Sequence, residues 1–416
     1  NASFAALTTR VRSVEEAEAW IAKLNALPDY LGEQQAWLTR GIETGFTQPR
    51  AILQGVADQI EAQITPVGES ELLTPIRNLP ETIPASERER LMAEATEAVE
   101  TSALPAQRDL HVFFTETYMP AARDSLGARD LPGGEDLYRA LVQQHTTLDL
   151  TPEEVHARGQ AEVARIRAEM DAVIAETGFE GDFAEFLDFL RTDPQFYAQS
   201  ERELMMAASY LAKKADDAMP AFFHHLPRLS YGVRPVPAAI APNYTTGRYW
   251  PGDAESGQAG GYMVNTYRLD QRPLYELPAL TVHEAVPGHH HQIAIAQELE
   301  NVPEFRKQGY ITAFGEGWGL YTEFLGVDMG MYETPYEHFG RLTYEMWRAC
   351  RLVADTGLHW YGWSRDEAEA CFLENSALAP LNITNEVSRY ISWPGQALAY
   401  KTGELLIREL RSDAES

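Results

Sequence analysis

Cysteine is nearly absent, with Cys350 and Cys371 the only two in 416 residues. Two thiols cannot build a disulfide framework or a cysteine-rich zinc site, and a chain of this length needs no such staples. Positive charge is scarce as well. Lys and Arg number 34 against 62 Asp and Glu, a net charge of −28, and no basic stripe exists that would neutralise a row of phosphates. Nucleic acid and anionic membrane surfaces are therefore poor partners. No apolar run reaches the roughly 18 residues of a membrane-spanning helix. The start, Asn1-Ala2-Ser3-Phe4, lacks both Met and a basic segment, so a processed, trimmed or engineered terminus is expected. Internal repeats and low-complexity linkers are missing too. At 44% hydrophobic and 23% charged residues, the chain has the composition of an ordinary globular protein. This composition suits the cytoplasm, or export after loss of a signal segment, and leaves the oligomeric state open.

What is present reads as mainly α. From residue 13 to about 226 apolar residues recur at three- and four-residue spacing, broken by Pro, Gly and Asp, which predicts a succession of amphipathic helices acting as scaffold. Thr151-Pro152-Glu153-Glu154 is a strong start signal, and the helix after it should run to about Glu176. Between Leu226 and Leu269 prolines and glycines forbid a helix. Gly261–Arg268 is rich in strand formers, so a small antiparallel sheet is expected within 227–270, beside a cleft. Helical spacing returns after Pro278, over 279–300, 310–327, 335–361, 364–375, 382–391 and 395–411. Residues 1–226 and 227–416 are thus expected to form one continuous domain, the second part carrying the chemistry.

Of 11 histidines, four fall in Thr281-Val-His283-Glu284-Ala-Val-Pro287-Gly288-His289-His290-His291-Gln292. In a His-Glu-x-x-His helix, residues four apart share a face, so two imidazoles reach one metal while the Glu faces its water. Pro287 spoils that spacing here. In an unbroken helix His289 would lie about 240° round and about 9 Å along from His283, too far for one ion. Pro287, however, removes an amide and clashes with the carbonyl of His283, and Gly288 tolerates unusual backbone angles. A bulge at this point would bring His289 back into place. His290, seven residues on, is the second choice and His291 the third. A third ligand is sought in Ala313-Phe-Gly-Glu316-Gly-Trp-Gly-Leu-Tyr-Thr-Glu323, where small residues allow an adjacent helix to come close. Glu316 is the choice, and Glu323, on the same face, is a candidate partner for a ligating imidazole. The competing reading is a solvated helix end.

Three weaker clusters complete the list. Tyr262–Arg268 would be an edge strand above the metal, holding a peptide by backbone bonds. Asp355 and His359 stand four apart on one helix face. Tyr390 and Tyr400 flank a Pro-Gly break. His359, Tyr390 and Tyr400 are each candidates for stabilising an oxyanion.

Together these residues resemble a bacterial family known as domain of unknown function 885. The stretches that carry the resemblance are Leu150–His156, Tyr231–Pro237, Val264–Tyr267, His283–His290, Gly315–Tyr321, Asp355–His359, Gly362–Ser364 and Pro394–Leu398, which span the chain from about residue 40 to 403. That family looks like a zincin-type (gluzincin) metallopeptidase group, similar to the thimet oligopeptidase and carboxypeptidase Taq families with their His-Glu-x-Gly-His helices and distant ligand Glu. Matching Gly288-His289 to that Gly-His favours His289 as second ligand, and matching the downstream helix favours Glu316. The two-residue insertion is the departure.

The expectation is therefore a large helical zincin-like domain holding one zinc ion on His283, His289 and Glu316, with Glu284 as general base and oligopeptides as substrates. Its rivals are a catalytically silent scaffold that binds a peptide or protein, and a metal-dependent hydrolase of small non-peptide amides.

Overall fold

The computed structural model describes residues 5–7, 9–238, 240–253 and 257–416. The first four residues, on which the expectation about the terminus rests, lie outside them. The fold is mainly α, as the spacing predicts. By contacts the chain divides into two compact units, 1–125 and 126–416. This division falls well before Leu226, where the sequence changes texture. The helices between the two points pack with the C-terminal helices, so Leu226 marks a change from helix to strand inside one unit.

The first unit contains α1 (Val14–Thr44) and α2 (Ala85–Ala98). Ser13 caps α1 by accepting from the Glu16 amide, which satisfies one of the donors that every helix start leaves over. Ala17, Trp20, Ile21 and Leu24, at helical spacing, are its buried face and pack with Leu72, Ile76 and Leu91.

The second unit contains α3 (Gly134–Thr146), α4 (Pro152–Thr177), α5 (Glu201–Phe222), strands β1 (Tyr231–Pro235), β2 (Gly247–Trp250) and β3 (Gly260–Val264), then α6 (Leu277–Glu284), α7 (His289–Glu298), α8 (Thr312–Asp328), α9 (Pro335–Thr356), α10 (Arg365–Asn375), α11 (Pro380–Ser392) and α12 (Ala399–Glu415). At the start of α4, Thr151 and Glu154 form a reciprocal capping box behind Pro152. The sheet is mixed rather than antiparallel, because β3 lies in the middle, parallel to β1 and antiparallel to β2. Tyr262–Val264 is thus central and not an edge. The outer strand next to α6 is β2.

Helix α9 is the axis of this unit, buried from Phe339 to Thr356. Its polar residues are buried in pairs, as a low-dielectric interior requires. Arg341 holds Glu345 at 2.8 Å. Lys401 on α12, fully buried, reaches Glu345 and Glu404 at 2.8 Å and Glu162 of α4 at 3.0 Å. Arg351 holds Glu386 of α11 at 2.8 Å. These pairs fix which helices can surround α9 and in what register.

Cys350 of α9 and Cys371 of α10 form a disulfide that closes a separation of 21 residues. Denatured, unreduced protein should therefore show no thiol to a maleimide probe, and two after reduction. By loop-closure entropy, Cys350→Ala should lower stability by about 3 kcal/mol. Two reactive thiols before reduction would contradict the pairing.

Candidate metal centre

Helix α6 ends at Glu284 and α7 begins at His289. Between them the Val286–Pro287 peptide is cis. The sequence suggests a bulge in one helix; the structure has a complete break, because Pro287 offers no amide with which to continue the hydrogen-bond ladder. Gly288 is required at this turn, since any Cβ there would collide with the carbonyl of His283. The break turns α7 so that the His289 ring meets the His283 ring edge-on, centroids 4.8 Å apart.

Helix α8 brings Glu316 to the same point. Its alternate glycines permit this. A Cβ on Gly319 would lie 2.7 Å from Cε1 of His283, and one on Gly317 would lie 2.6 Å from the Cα of Gly403 on α12. Only bare backbone fits on both sides. Oε2 of Glu316 then stands 3.3 Å from Nε2 of His289 and 3.7 Å from Nε2 of His283. One ligand atom from each of the three residues falls within 4.8 Å of the other two. Donors on a tetrahedron with bonds of about 2.1 Å are about 3.4 Å apart, so the two Glu316 contacts match the spacing zinc requires, while the widest pair of the set, up to 4.8 Å, would close on binding. Two imidazoles and one carboxylate leave a fourth position for water or substrate.

Behind the cluster, Nδ1 of His283 bonds Oε1 of Glu323 at 2.8 Å, and Arg348 lies 3.3 Å from the same oxygen. The carboxylate fixes the tautomer that presents Nε2 to the cluster. Burial alone would lower the pKa of His283, but hydrogen bonds with Glu316 and Glu323 outweigh it and raise it to about 9. Burial would likewise raise that of Glu316, but His289 and His283 hold it well below the usual carboxylate range. Both shifts describe anionic oxygens facing imidazoles across a gap of ion-binding size.

Glu284 is buried beside His283, and its Oε2 accepts from the backbone N–H of Tyr249 on β2 at 2.6 Å. The strand thus fixes this carboxylate. His290 and His291 point elsewhere. Nδ1 of His290 pairs with the Tyr249 hydroxyl at 2.9 Å, and burial pushes its pKa down to about 4. Nε2 of His291 lies 3.3 Å from the His225 carbonyl.

Over residues 2–416 the chain matches the family of bacterial proteins of unknown function called DUF885. It belongs to that family. This DUF885 chain is similar to the crystal structure of a "putative lipoprotein" from Colwellia psychrerythraea, at 27% identity and a TM-score of 0.93, covering 98% of this chain and 71% of that one. A second such protein, of unknown function and from Shewanella oneidensis, is 16% identical with a TM-score of 0.66, covering 96% of this chain and 72% of that one, a likeness of fold alone. No curated protein matches.

Two residues proposed from the DUF885 sequence are placed away from the cluster. His359 is fully buried, its Nδ1 accepting from the Ala128 amide at 3.0 Å and its Nε2 lying 2.9 Å from the Tyr390 carbonyl. The expected Asp355–His359 pairing is replaced, since Asp355 accepts from the Tyr138 hydroxyl at 2.7 Å and the Gly395 amide at 3.0 Å. The Tyr390 hydroxyl donates to Glu386 and accepts from Trp347 and Arg351, each at 2.9 Å, which leaves nothing for an oxyanion. Both belong to the packing around α9. Tyr400 differs. It is half-buried at the start of α12, over the Arg351 guanidinium at 4.0 Å, and Glu316 acts on its hydroxyl.

Two residues that sequence reasoning passed over stand near Glu284, Glu316 and Tyr400: Tyr310, just before α8, and Arg248 on β2. Tyr310 directly precedes the helix that carries Glu316, a positional signal that was legible. A cavity of about 420 Å³ also opens between α7 and α8, lined by Phe223, His225, His291, Ile295, Phe314 and Trp318. Trp318 closes the wall between this cavity and the break by donating to the Pro287 carbonyl at 2.8 Å.

Because Glu323 orients His283, any zinc affinity of this cluster should fall about 10- to 100-fold in Glu323→Gln while the protein stays folded. Competition with a fluorescent chelator measures this. Unchanged affinity would mean that His283 needs no orienting partner.

Proposed function

We propose that this chain is a zinc-dependent hydrolase of amide bonds in short peptides. The observation that carries the reading is the convergence of His283, His289 and Glu316 with Glu284 held beside them. Such a donor set suits zinc, which when bound supplies polarisation of a carbonyl and acidification of a water. Glu284 takes the proton from that water and returns it to the leaving nitrogen, its position set by the Tyr249 amide. Tyr400, whose hydroxyl lies in the field of Glu316, is our candidate to donate to the oxygen on which negative charge develops. The layout resembles that of the gluzincin peptidases, whose His-Glu-x-x-His helix is completed by a Glu on a second helix, except that here the first helix is broken at Pro287-Gly288. An extended peptide would lie against the outer strand β2, in place of Tyr262–Arg268, which the sequence suggests as the edge but whose strand β3 is central.

We further infer an exported protein. The two structures named above are each of a protein described as a "putative lipoprotein", and a disulfide between α9 and α10 suits an oxidising compartment. No helix among the described residues is long and apolar enough to cross a membrane.

The test is cleavage of a mixed peptide library and of a panel of small amides by zinc-loaded protein. Peptide cleavage is expected, reduced about 10²- to 10⁴-fold in Glu284→Gln with zinc retained. Full activity in that variant would remove Glu284 as base. Cleavage of the small amides alone would reassign the substrate, and zinc binding without any turnover would favour a silent scaffold.

A further inference from the structure

Arg248 has no role in the chemistry above, yet it stands over it. Its neighbour in β2, Tyr249, gives its amide to Glu284 at 2.6 Å. Strand alternation puts the two side chains on opposite faces, Tyr249 against His290 and Arg248 exposed. Among the described residues no carboxylate or carbonyl holds the Arg248 guanidinium. Burial of its stem would lower its pKa, but the field of Tyr244, Glu284, Tyr400 and Glu316 outweighs this and raises it. The backbone fixes where this side chain starts: the next amide along β2 sits on the Glu284 carboxylate, so Arg248 springs from the strand one residue from the centre and extends into solvent beside it. The other nearby cations are engaged: Arg351 and Arg389, below Tyr400, both bond Glu386.

Charge gives this arginine a task. A divalent cation held there would balance Glu284 and Glu316, and Arg248 would then leave the mouth net positive on a chain whose overall charge of −28 repels anions. A guanidinium with its planar donor fork uncommitted is suited to bidentate capture of a carboxylate. We propose that Arg248 is a specificity-determining residue that binds a carboxylate of the substrate, so that the preferred peptides carry a free C-terminal carboxylate close to the bond that is cut. This rests on the reading of the centre as hydrolytic. An acidic side chain offers the same chemistry, and the experiment separates the two sources.

The probe is an N-acetylated hexapeptide of Ala and Phe, made as free acid, as C-terminal amide, and as amides with Glu in either of the last two positions. Binding to zinc-loaded Glu284→Gln protein is measured by calorimetry, with and without Arg248→Gln. The free acid should bind at least about 10-fold more tightly than the plain amide. Arg248→Gln should abolish that difference, and Arg248→Lys should restore part of it. Preference for a Glu-bearing amide over the free acid would assign the residue to an acidic side chain and overturn the C-terminal assignment. Equal binding of acid and amide, or none of either, overturns the inference altogether. Turnover of the same peptides by the wild type keeps the two readings apart. Cleavage without acid preference sinks the anchor and leaves the hydrolase, while acid-selective binding without cleavage does the reverse.

Discussion

The centre depends on how closely the backbone of α8 approaches the imidazole of His283. At Gly319 there is no room for a methyl group, and that proximity is what lets a single helix touch both ends of the ring. Glu316 meets Nε2 and Glu323, seven residues later on the same face, meets Nδ1. Had α8 stood a side chain further away, neither carboxylate would reach. The second contact behind α8, Gly317 against Gly403 of α12, extends the same constraint outward and brings Tyr400 alongside. Glycine in a helix interior costs about 1 kcal/mol relative to alanine. Three alternate glycines in one helix turn and a half are tolerable only where packing recovers that loss.

Burying so many charges needs a second device. Glu323 is nearly inaccessible, and an unpaired carboxylate there would cost several kcal/mol. Arg348 of α9 supplies the counter-charge. The same helix carries Arg341, Glu345 and Arg351, and each also faces a charge on another helix: Glu169 of α4, Lys401 of α12 and Glu386 of α11. Helix α9 therefore acts as a buried electrostatic template. The centre is one end of that network, which explains why residues as polar as Asp355 and His359 lie nearby in sequence and serve only to hold helices together.

Much of this was legible in the residues. Thr151-Pro152 announced α4, and His283-Glu284 with a Pro-Gly pair announced an irregularity at this point, though as a bulge within one helix rather than the break between two. The glycines around Glu316 announced close helix contact. The limits were equally physical. Periodicity tells which residues share a helix face but not which neighbour that face meets, so Tyr390 and His359 read like site residues although their polar atoms are committed to backbone and side-chain partners. Sheet order depends on contacts distant in sequence. Tyr262–Arg268 therefore reads as an edge strand, while β2, in a stretch crowded with Pro and Gly, supplies the amide for Glu284 and carries Arg248.

The central claim is that His283, His289 and Glu316 hold one metal ion. Elemental analysis of untagged protein, wild type and variant, tests it most directly. The account predicts about one zinc per chain, lost in His283→Ala, His289→Ala and Glu316→Ala and kept in His290→Ala, whose imidazole faces Tyr249 instead. No zinc after it is supplied, or zinc that survives loss of Glu316 and both histidines, would contradict it.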